Sequence, residues 1–368
     1  MDEWKSCEIK IAILGESGTG KSSFINAFRG LQNKDKGEGV AEVGTDQTTL
    51  VVTPYQSPDH PNLQLFDVPG VNTPTFPQHT YLSAINVNQY DFFILISSER
   101  FTDNDLWLAK EIISRKKRFY FVRTKVDQDL TNDQNDHVDH DPDKWIDKTR
   151  QNCINLLRRG HVPDPVVFLV SNRNTLLYDF GDLQKRLVDD SPEIIRNAII
   201  LSFSAITKEI LNEKREVLES RKTGRAVLAV LGALIPIPGV GAAINFTVMK
   251  NEMTFYKEQF GIDDRSLQQL ASQVGVSIEY LKNHLSLKSC IIFESGTEFR
   301  KFCEEAHDQF LVDAIAKVLL PIIGGIISAF KSAPAAVAIQ EKLLDICYKE
   351  ACRVIDYRSE WFKKQPSV

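Results

Sequence analysis

The segment GESGTGKS at residues 15–22 constrains this 368-residue chain more than any other feature. It fits the pattern G-x-x-x-x-G-K-[ST], follows the apolar run Ile9–Leu14 and opens a helical pattern that ends near Arg29. In that setting glycines let backbone N–H groups curl around phosphate oxygens, and the helix N-terminus adds a partial positive charge. An accidental Gly/Ser-rich turn would not need both flanking elements. The sequence therefore predicts a phosphate-binding loop, the P-loop, with ligand-contacting residues Gly15, Glu16, Ser17, Gly18, Thr19, Gly20, Lys21, Ser22 and Ser23.

Two side chains of this loop have the chemistry that a nucleoside triphosphate requires. Lys21 is placed to neutralise the β- and γ-phosphates, which makes it a candidate catalytic residue. The Ser22 hydroxyl is a hard oxygen ligand suited to Mg²⁺. The P-loop therefore predicts Mg²⁺ as the cofactor.

The order of apolar runs predicts the architecture. In the first half of the chain, short apolar runs alternate with helical patterns, which is typical of a mainly parallel sheet with helices on both faces. The predicted strands are Ile9–Leu14, Thr49–Thr53, Leu63–Phe66, Phe92–Ile96, Phe119–Val122 and Val166–Val170. Strand patterns largely stop at Ser191, where a long amphipathic helix is predicted to begin. We therefore expect an α/β domain over 1–190 and an all-helical domain over 191–368.

The segment Asp67-Val-Pro-Gly70 directly follows a predicted strand. Carboxyl ends of parallel strands share one edge of a sheet, so Asp67 should lie near the P-loop and hold Mg²⁺ through water. The N–H of Gly70 is then placed to sense a γ-phosphate. Alone, this tetrapeptide is only a turn; its position after the P-loop favours a role in the site.

Two further strand ends indicate which base is bound. Asp127, in Thr124-Lys125-Val-Asp127, can accept hydrogen bonds from N1–H and the exocyclic amino group of guanine, a donor pair that adenine lacks. The Lys125 stem would cover the base plane. Ser171 and Asn172 follow the last predicted strand and would contact the base edge. The set predicts a P-loop GTPase domain and disfavours an adenine-nucleotide ATPase or kinase.

A switch segment is expected between the P-loop and Asp67. A Thr at residues 43–49 can complete Mg²⁺ coordination when a γ-phosphate is present. Thr48 and Thr49 lead as GTP-binding residues, Thr49 also as a metal ligand, and Thr45 comes next. The same threonines equally fit a β-branched strand start.

Net charge, the N-terminal residues and the cysteines indicate which partners and which cellular compartment to expect. With 44 Lys+Arg and 49 Asp+Glu the net charge is 44 − 49 = −5, which gives no general attraction for nucleic acid. The first ten residues lack a signal-peptide pattern, and Asp2 excludes N-myristoylation. We expect a cytoplasmic protein with reduced thiols at Cys7, Cys153, Cys290, Cys303, Cys347 and Cys352.

A polar stretch and two apolar stretches leave alternatives open. Residues 132–145 are expected to form a polar surface insertion, in which His137 and His140 could hold a metal but are more often solvated. Residues 226–249 lack charged side chains, and residues 318–330 are also apolar. Prolines and glycines interrupt both apolar stretches, which favours buried helical hairpins over membrane-inserting hairpins or partner surfaces.

The chain resembles the immunity-related, interferon-inducible GTPases. GESGTGKSSFINAFRG, LFDVPGVNTPTFPQHTYL, KRFYFVRTKVDQDL and FYKEQFGIDDRSLQQLA all have the character of that family. The resemblance implies a dynamin-like GTPase that forms a homodimer across the nucleotide faces or a higher homo-oligomer. It also implies action on internal, vacuolar membranes in cell-autonomous defence, by peripheral association.

Two departures from the family pattern, and one from Ras-like GTPases at Val71, bear on hydrolysis and architecture. Where similar members carry a switch Glu that acts across the dimer, this chain has Gln47, which can position water but cannot be a carboxylate base. Val71 follows Gly70, so a water-positioning Gln is absent there too. Only about eight residues precede Ile9, so the helical segment usual before the first strand is expected to be missing or replaced. A nucleotide-gated binding module with little hydrolysis is therefore the alternative to a GTP-hydrolysing enzyme with catalytic residues Lys21, Gln47 and Gly70.

Overall fold

A computed structural model of the chain describes the backbone of most residues. The described ranges are 8–34, 39–44, 51–56, 63–71, 76–98, 101–233, 240–295, 297–299, 301–302 and 326–364. The predicted switch residues Thr45, Gln47, Thr48 and Thr49 lie outside these ranges.

The first part of the chain is built on a six-stranded sheet in the order β2-β3-β1-β4-β5-β6. Its strands are β1 (Ile9–Leu14), β2 (Thr53–Gln56), β3 (Leu63–Asp67), β4 (Phe92–Ser97), β5 (Phe119–Arg123) and β6 (Val167–Leu169). Every neighbouring pair is parallel except β2 with β3, which is antiparallel. The carboxyl ends of the five parallel strands therefore meet at one edge of the sheet.

Helices cover this sheet. They are α1 (Lys21–Phe28), α2 (Gln78–Ala84), α3 (Asp103–Ser114), α4 (Val126–Asp136), α5 (Pro142–Arg159), α6 (Phe180–Asp189) and α7 (Glu193–Ser202). Side chains of β1 and β4 are buried almost without exception, as expected for strands covered on both faces. The predicted cap of α5 is confirmed, since Asp141 accepts a hydrogen bond from the N–H of Lys144 at 3.1 Å and Pro142 is the first helical residue.

Two sequence predictions in this part were wrong in detail. The second strand is Thr53–Gln56, not Thr49–Thr53; it lies at the sheet edge, where Pro54 is tolerated because only one side of the strand pairs. The polar stretch 132–145 is exposed or half-buried, as a surface segment should be, but it is mostly helical rather than a loop, because α4 continues to Asp136 and α5 begins at Pro142. Only residues 137–141 form a loop.

The single long helix predicted from Ser191 is instead interrupted. Helix α7 ends before Phe203, whose backbone is extended and whose ring packs edge-on against Phe28 at 5.3 Å between centroids. This aromatic contact holds α7 against the α/β part. The chain accordingly divides between Ile206 and Thr207 into two compact units, not near residue 190.

The second unit consists of helices in its described residues. They are α8 (Lys208–Ala233), α9 (Val240–Phe260), α10 (Asp264–Val274), α11 (Ile278–His284) and α12 (Ile326–Lys364). Helices α8, α9 and α12 pack on one another. In the apolar stretch 226–249, residues 226–233 are the end of α8 and residues 240–249 the start of α9, while 234–239 lie outside the described residues. Of the second stretch only 326–330 is described, as the start of α12. None of the described helices is long and apolar enough to cross a membrane.

Candidate functional site

The P-loop adopts a backbone that requires glycine. Gly15, Gly18 and Gly20 have φ values of 142°, 79° and 91°, a region that other residues rarely adopt. A Cβ atom on Gly15 would lie 2.1 Å from the carbonyl oxygen of Ile96, at the end of β4. Close approach of strand and loop therefore makes the first glycine of the motif obligatory.

Lys21 lies beneath this loop and is 7% exposed. Its Nζ donates hydrogen bonds to the carbonyl oxygens of Gly15 at 3.2 Å and Glu16 at 2.9 Å. Burial lowers the pKa of Lys21, and the nearby acidic groups of Asp67 and Glu16 oppose that shift. The ammonium is thus held inside the loop that is predicted to receive phosphate.

The Ser22 hydroxyl and the Asp67 carboxylate meet next to the P-loop. Parallel pairing of β1 with β3 places Ile13 opposite Asp67, which brings the carboxylate to the start of α1. The Ser22 Oγ donates a hydrogen bond to Asp67 Oδ2 at 2.6 Å. Asp67 is 1% exposed. The two side-chain oxygens predicted to act on one metal ion therefore lie next to each other.

The segment after Asp67 packs against the P-loop. A Cβ atom on Gly70 would lie 3.1 Å from the backbone nitrogen of Ser17, so the two loops touch there. The hydroxyl of the buried Tyr81 in α2 donates a hydrogen bond to the carbonyl oxygen of Pro69 at 2.8 Å. This bond anchors the segment to α2. The sequence did not single out Tyr81, because nothing in its spacing distinguishes it from an ordinary core aromatic residue.

The loops after β5 and β6 are bonded directly to the P-loop. Thr124 Oγ1 donates to the carbonyl oxygen of Thr19 at 2.6 Å, and Asn172 Nδ2 donates to the carbonyl oxygen of Gly20 at 3.1 Å. These bonds span 105 and 152 residues of sequence. The structure therefore gathers the predicted phosphate and base residues at one sheet edge.

Local backbone geometry places the base-recognition residues. Lys125 has a left-handed backbone, with φ at 61°, and precedes α4, so that Asp127 falls in the first helical turn. The N–H of Val126 donates to the carbonyl oxygen of Val170 at 3.4 Å, which ties α4 to the end of β6. The buried Ser171 hydroxyl accepts from the N–H groups of Arg173 and Asn174 and shapes the loop that carries Asn172.

Several predicted residues occupy the rim of the site. Ser17 and Gly18 are exposed at the tip of the P-loop. The Ser23 hydroxyl, by contrast, accepts a hydrogen bond from Asn33 Nδ2 at 3.1 Å, and Asn33 lies in the loop that follows α1.

The start of α3 contributes residues that the sequence analysis missed. Asn104 Nδ2 donates to Glu16 Oε1 at 2.8 Å and so holds a P-loop side chain. Asp105 accepts hydrogen bonds from Ser97 Oγ and the Thr102 N–H, both at 3.0 Å. Burial raises the pKa of Asp105 to about 6. The available signal was positional: α3 follows β4, and β4 ends at the edge where the P-loop lies.

The candidate histidine site has a simpler explanation. His140 Nδ1 lies 2.7 Å and His137 Nδ1 3.1 Å from the two carboxylate oxygens of Asp133. Among the residues that the structure describes, no group of three or more His, Cys, Asp or Glu side chains could hold a metal ion. Both histidines contact the Asp133 carboxylate at the end of α4.

Fold and site together define a P-loop GTPase: a mainly parallel sheet carries the P-loop, a strand-end aspartate and the segment predicted to recognise guanine at one edge. The sequence profile of the Interferon-inducible GTPase (IIGP) family matches residues 1–357. The chain belongs to that family, as the sequence resemblance predicted, and is a GTP-binding GTPase.

Individual relatives agree with this membership. Interferon-inducible GTPase 1 of Mus musculus is 37% identical over 299 residues, which cover 81% of this chain and 71% of that protein. T-cell-specific guanine nucleotide triphosphate-binding protein 2 of Mus musculus is 34% identical over 366 residues, covering 98% and 84%. Interferon-inducible GTPase 5 of Bos taurus is 32% identical over 362 residues, covering 98% and 77%.

Proposed function

We propose that this chain hydrolyses GTP at the carboxyl edge of its sheet, with the P-loop holding the phosphates. The observation that carries the proposal is the 2.6 Å contact between Ser22 Oγ and Asp67 Oδ2, which come from different strand ends and meet beside the buried Lys21 ammonium. Packing alone does not require a cation, a hydroxyl and a carboxylate to lie together. It fits a triphosphate with a bound divalent cation.

The donor set fits Mg²⁺. A serine hydroxyl and a carboxylate are hard oxygen ligands, and their short contact supports the assignment of both to one small ion. We assign Ser22 and Asp67, together with Thr49 of the switch segment, as the residues that would hold it. When bound, the ion would neutralise charge on the β- and γ-phosphate oxygens.

Hydrolysis would be in-line attack of water on the γ-phosphorus, with most of the rate coming from positioning and charge neutralisation. Lys21 leaves the carbonyls of Gly15 and Glu16 to bind phosphate oxygens. The Gly70 N–H, held against the P-loop, donates to the γ-phosphate. Gln47 positions the water, and Thr48 and Thr49 contact the nucleotide from the switch segment.

Guanine would be selected by Asp127. Its carboxylate accepts from N1–H and the 2-amino group, while the Lys125 stem covers one face of the base. Ser171 and Asn172 complete the pocket edge; Asn172 is already fixed to Gly20 beneath it. An adenine base would leave the carboxylate without these donors, which is costly at a desolvated site.

Asp127→Asn tests the base assignment. Xanthine has a C2 carbonyl in place of the amino group of guanine, and an asparagine amide can donate to it. The GTP affinity of the variant should fall by about a hundredfold or more, while its affinity for xanthosine triphosphate rises. Fluorescent-nucleotide titration measures both, with Asp136→Asn, an exposed residue of the same helix, as the matched control. Unchanged GTP affinity in Asp127→Asn would refute the assignment.

Ser22→Ala tests the metal assignment. Loss of one oxygen ligand should raise the Mg²⁺ concentration needed for half-maximal GTP turnover by at least about tenfold. A magnesium titration of steady-state phosphate release measures this, with Ser114→Ala, whose exposed hydroxyl bonds within α3, as control. An unaltered magnesium requirement would remove Ser22 from the ligand set.

The family setting supports self-assembly and membrane association as part of the proposal. We propose that the protein forms a homodimer or a higher homo-oligomer through its nucleotide face. We further propose that it acts from the cytoplasm at internal membranes, by peripheral attachment. The membrane-inserting alternative for 226–249 and 318–330 would serve the same attachment.

A nucleotide-gated binding module with little hydrolysis is the second candidate function. A specific observation favours it: the residue after Gly70 is Val71, which is buried in the core. No water-positioning side chain can therefore be presented from that position, and hydrolysis would depend on Gln47 or on a second copy of the chain.

A further inference from the structure

The hydroxyl of Tyr81 is bonded to the peptide group that joins Pro69 to Gly70. Tyr81 lies in α2 and is fully buried, and its hydroxyl donates a hydrogen bond to the Pro69 carbonyl oxygen at 2.8 Å. The same peptide group carries the Gly70 N–H, the donor that the proposed function assigns to the γ-phosphate. One side chain therefore holds one end of the peptide group whose other end is expected to meet the nucleotide.

The planarity of the peptide group links these two ends. The Pro69–Gly70 peptide bond is trans, and a trans peptide keeps its carbonyl and its N–H in one plane and pointing in opposite directions. Because the Pro69 carbonyl is bonded to Tyr81, the Gly70 N–H points away from that side chain. Gly70 itself lies against the P-loop, where an added Cβ atom would be 3.1 Å from the Ser17 nitrogen and 3.6 Å from the Gly15 carbonyl oxygen.

The residues on either side of this peptide group are fixed. Val68 and Val71 are buried in the same hydrophobic cluster as Tyr81, and the Val68 N–H donates to the carbonyl oxygen of Ile13 in β1 at 3.3 Å. Between fixed ends a peptide plane can still rotate, and glycine permits such a rotation because it adopts positive and negative φ about equally. The Tyr81 hydrogen bond therefore selects one orientation of the plane.

The protonation of Tyr81 and the bonding of Gly70 agree with this arrangement. Burial raises the pKa of Tyr81, so its hydroxyl stays protonated and remains a donor. Gly70 is buried, and within the described part of the chain its N–H makes no hydrogen bond. Because buried N–H groups normally have a partner, this donor is suited to an acceptor that a ligand supplies.

We propose that Tyr81 is a positioning residue for recognition of the γ-phosphate: its bond to the Pro69 carbonyl presents the Gly70 N–H to a nucleoside triphosphate. This inference rests on the proposed role of Gly70. A diphosphate has no γ-phosphate to accept from this N–H. Loss of the Tyr81 hydroxyl should therefore weaken the binding of the triphosphate more than the binding of the diphosphate.

Tyr81→Phe removes the hydroxyl and keeps the packed ring. Affinities for a non-hydrolysable GTP analogue and for GDP should be measured by titration at saturating Mg²⁺. We expect the ratio of triphosphate to diphosphate affinity to fall by about fivefold, because the peptide plane is no longer held with its N–H toward the γ-phosphate. A general structural defect would weaken both nucleotides equally and leave this ratio unchanged.

Tyr90→Phe is the matched control. Tyr90 is a second fully buried tyrosine of the same hydrophobic cluster, and its hydroxyl also donates to a backbone carbonyl, that of Ile85 at 3.1 Å. Ile85 is not among the residues proposed to bind nucleotide, so this variant should keep the wild-type ratio. A ratio at or above wild type in Tyr81→Phe, or an equal fall in Tyr90→Phe, would overturn the positioning role.

The two proposals can fail separately. If Lys21→Ala weakens triphosphate binding while the ratio in Tyr81→Phe is unchanged, the phosphate site stands and only the positioning role is wrong. If Lys21→Ala leaves both affinities at the wild-type values, the phosphate site itself is wrong and the inference falls with it.

Discussion

At the residue scale, the site is a set of buried charges held by their own loops. Lys21 loses hydration by burial, and two P-loop carbonyl oxygens replace that hydration. Asp67 is similarly buried and accepts from the Ser22 hydroxyl. Because these groups are desolvated before any ligand arrives, phosphate and metal would meet side chains that need no further dehydration.

Asp105 is the exception, since its charge is destabilising. Its folded-state pKa of about 6 lies above the unfolded value of 3.8, so the folded state prefers the protonated form. The contribution of Asp105 to the free energy of unfolding should therefore be largest below about pH 4 and be lost as the pH rises through about 6.

Asp105→Asn should remove this dependence. Asparagine keeps an oxygen acceptor for the Thr102 N–H and carries no charge. The stability of the variant relative to wild type should rise between pH 4 and pH 7, by about 3 kcal/mol at most. Chemical denaturation at a series of pH values measures this difference, with the exposed Asp103→Asn of the same helical turn as control. A difference that stays constant with pH would contradict the account.

The residue scale also shows where sequence reasoning ends. Lys21 and Asp67 could be placed because their chemistry is tied to fixed spacings after strands. Asn104 belongs to no spacing rule. It reaches Glu16 because the sheet order puts β4 next to β1.

At the element scale, α1 connects the phosphate site to the segment before the switch. Asn26 is fully buried, four residues after Ser22, and both accepts from and donates to the Ala41 backbone, at 2.8 and 2.9 Å. Arg29 donates to the carbonyl oxygens of Gly39 at 2.6 Å and Gln56 at 2.7 Å. One helix thus holds the chain on both sides of the predicted switch residues.

Asn26→Ala should disturb both stability and turnover. The Ala41 N–H and carbonyl would lose their partner in a buried place, which should lower the free energy of unfolding by about 2 kcal/mol. GTP turnover at saturating nucleotide should fall as well, because the segment 39–41 would no longer be held against α1 by the Asn26 side chain. Asn33→Ala, which removes an exposed partner of Asn26, is the control for denaturation and phosphate-release assays. Full activity in a destabilised Asn26→Ala would separate α1 from the switch.

Element boundaries were less predictable than element identity. Buried strands such as β4 could be located because nearly every residue is apolar. The edge strand β2 was misplaced because its side chains alternate between half-buried and exposed, and Pro54 weakens the strand pattern. The break before α8 was missed because apolar residues continue at helical spacing past it, while the packing of Phe203 on Phe28 interrupts the helix.

At the scale of the whole molecule, the chain combines an α/β unit ending at Ile206 with a unit of helices from Thr207. The predicted order of the two was correct, and the boundary moved because α7 packs with the α/β unit. The second unit buries polar groups of its own: Lys214 of α8 bonds Gln259 of α9 at 3.3 Å, and Glu350 of α12 accepts from the Ser289 N–H at 3.1 Å. Both bonds give a buried charged group a hydrogen-bond partner.

The molecular question is whether one copy of the chain hydrolyses GTP by itself. The proposed site assigns groups of the α/β unit to phosphate, metal and guanine, while the buried Val71 follows Gly70. Under that proposal, hydrolysis depends on Gln47 or on a second copy of the chain across the proposed nucleotide-face dimer.

The most direct test is GTP turnover per site measured over a wide range of protein concentration, with Lys21→Ala as the inactive reference and GDP release quantified. Specific activity should rise with protein concentration, and Lys21→Ala should remain at background throughout. Tight GTP binding with flat, near-zero turnover at every concentration would contradict it, and would assign the chain to nucleotide-gated binding instead of hydrolysis.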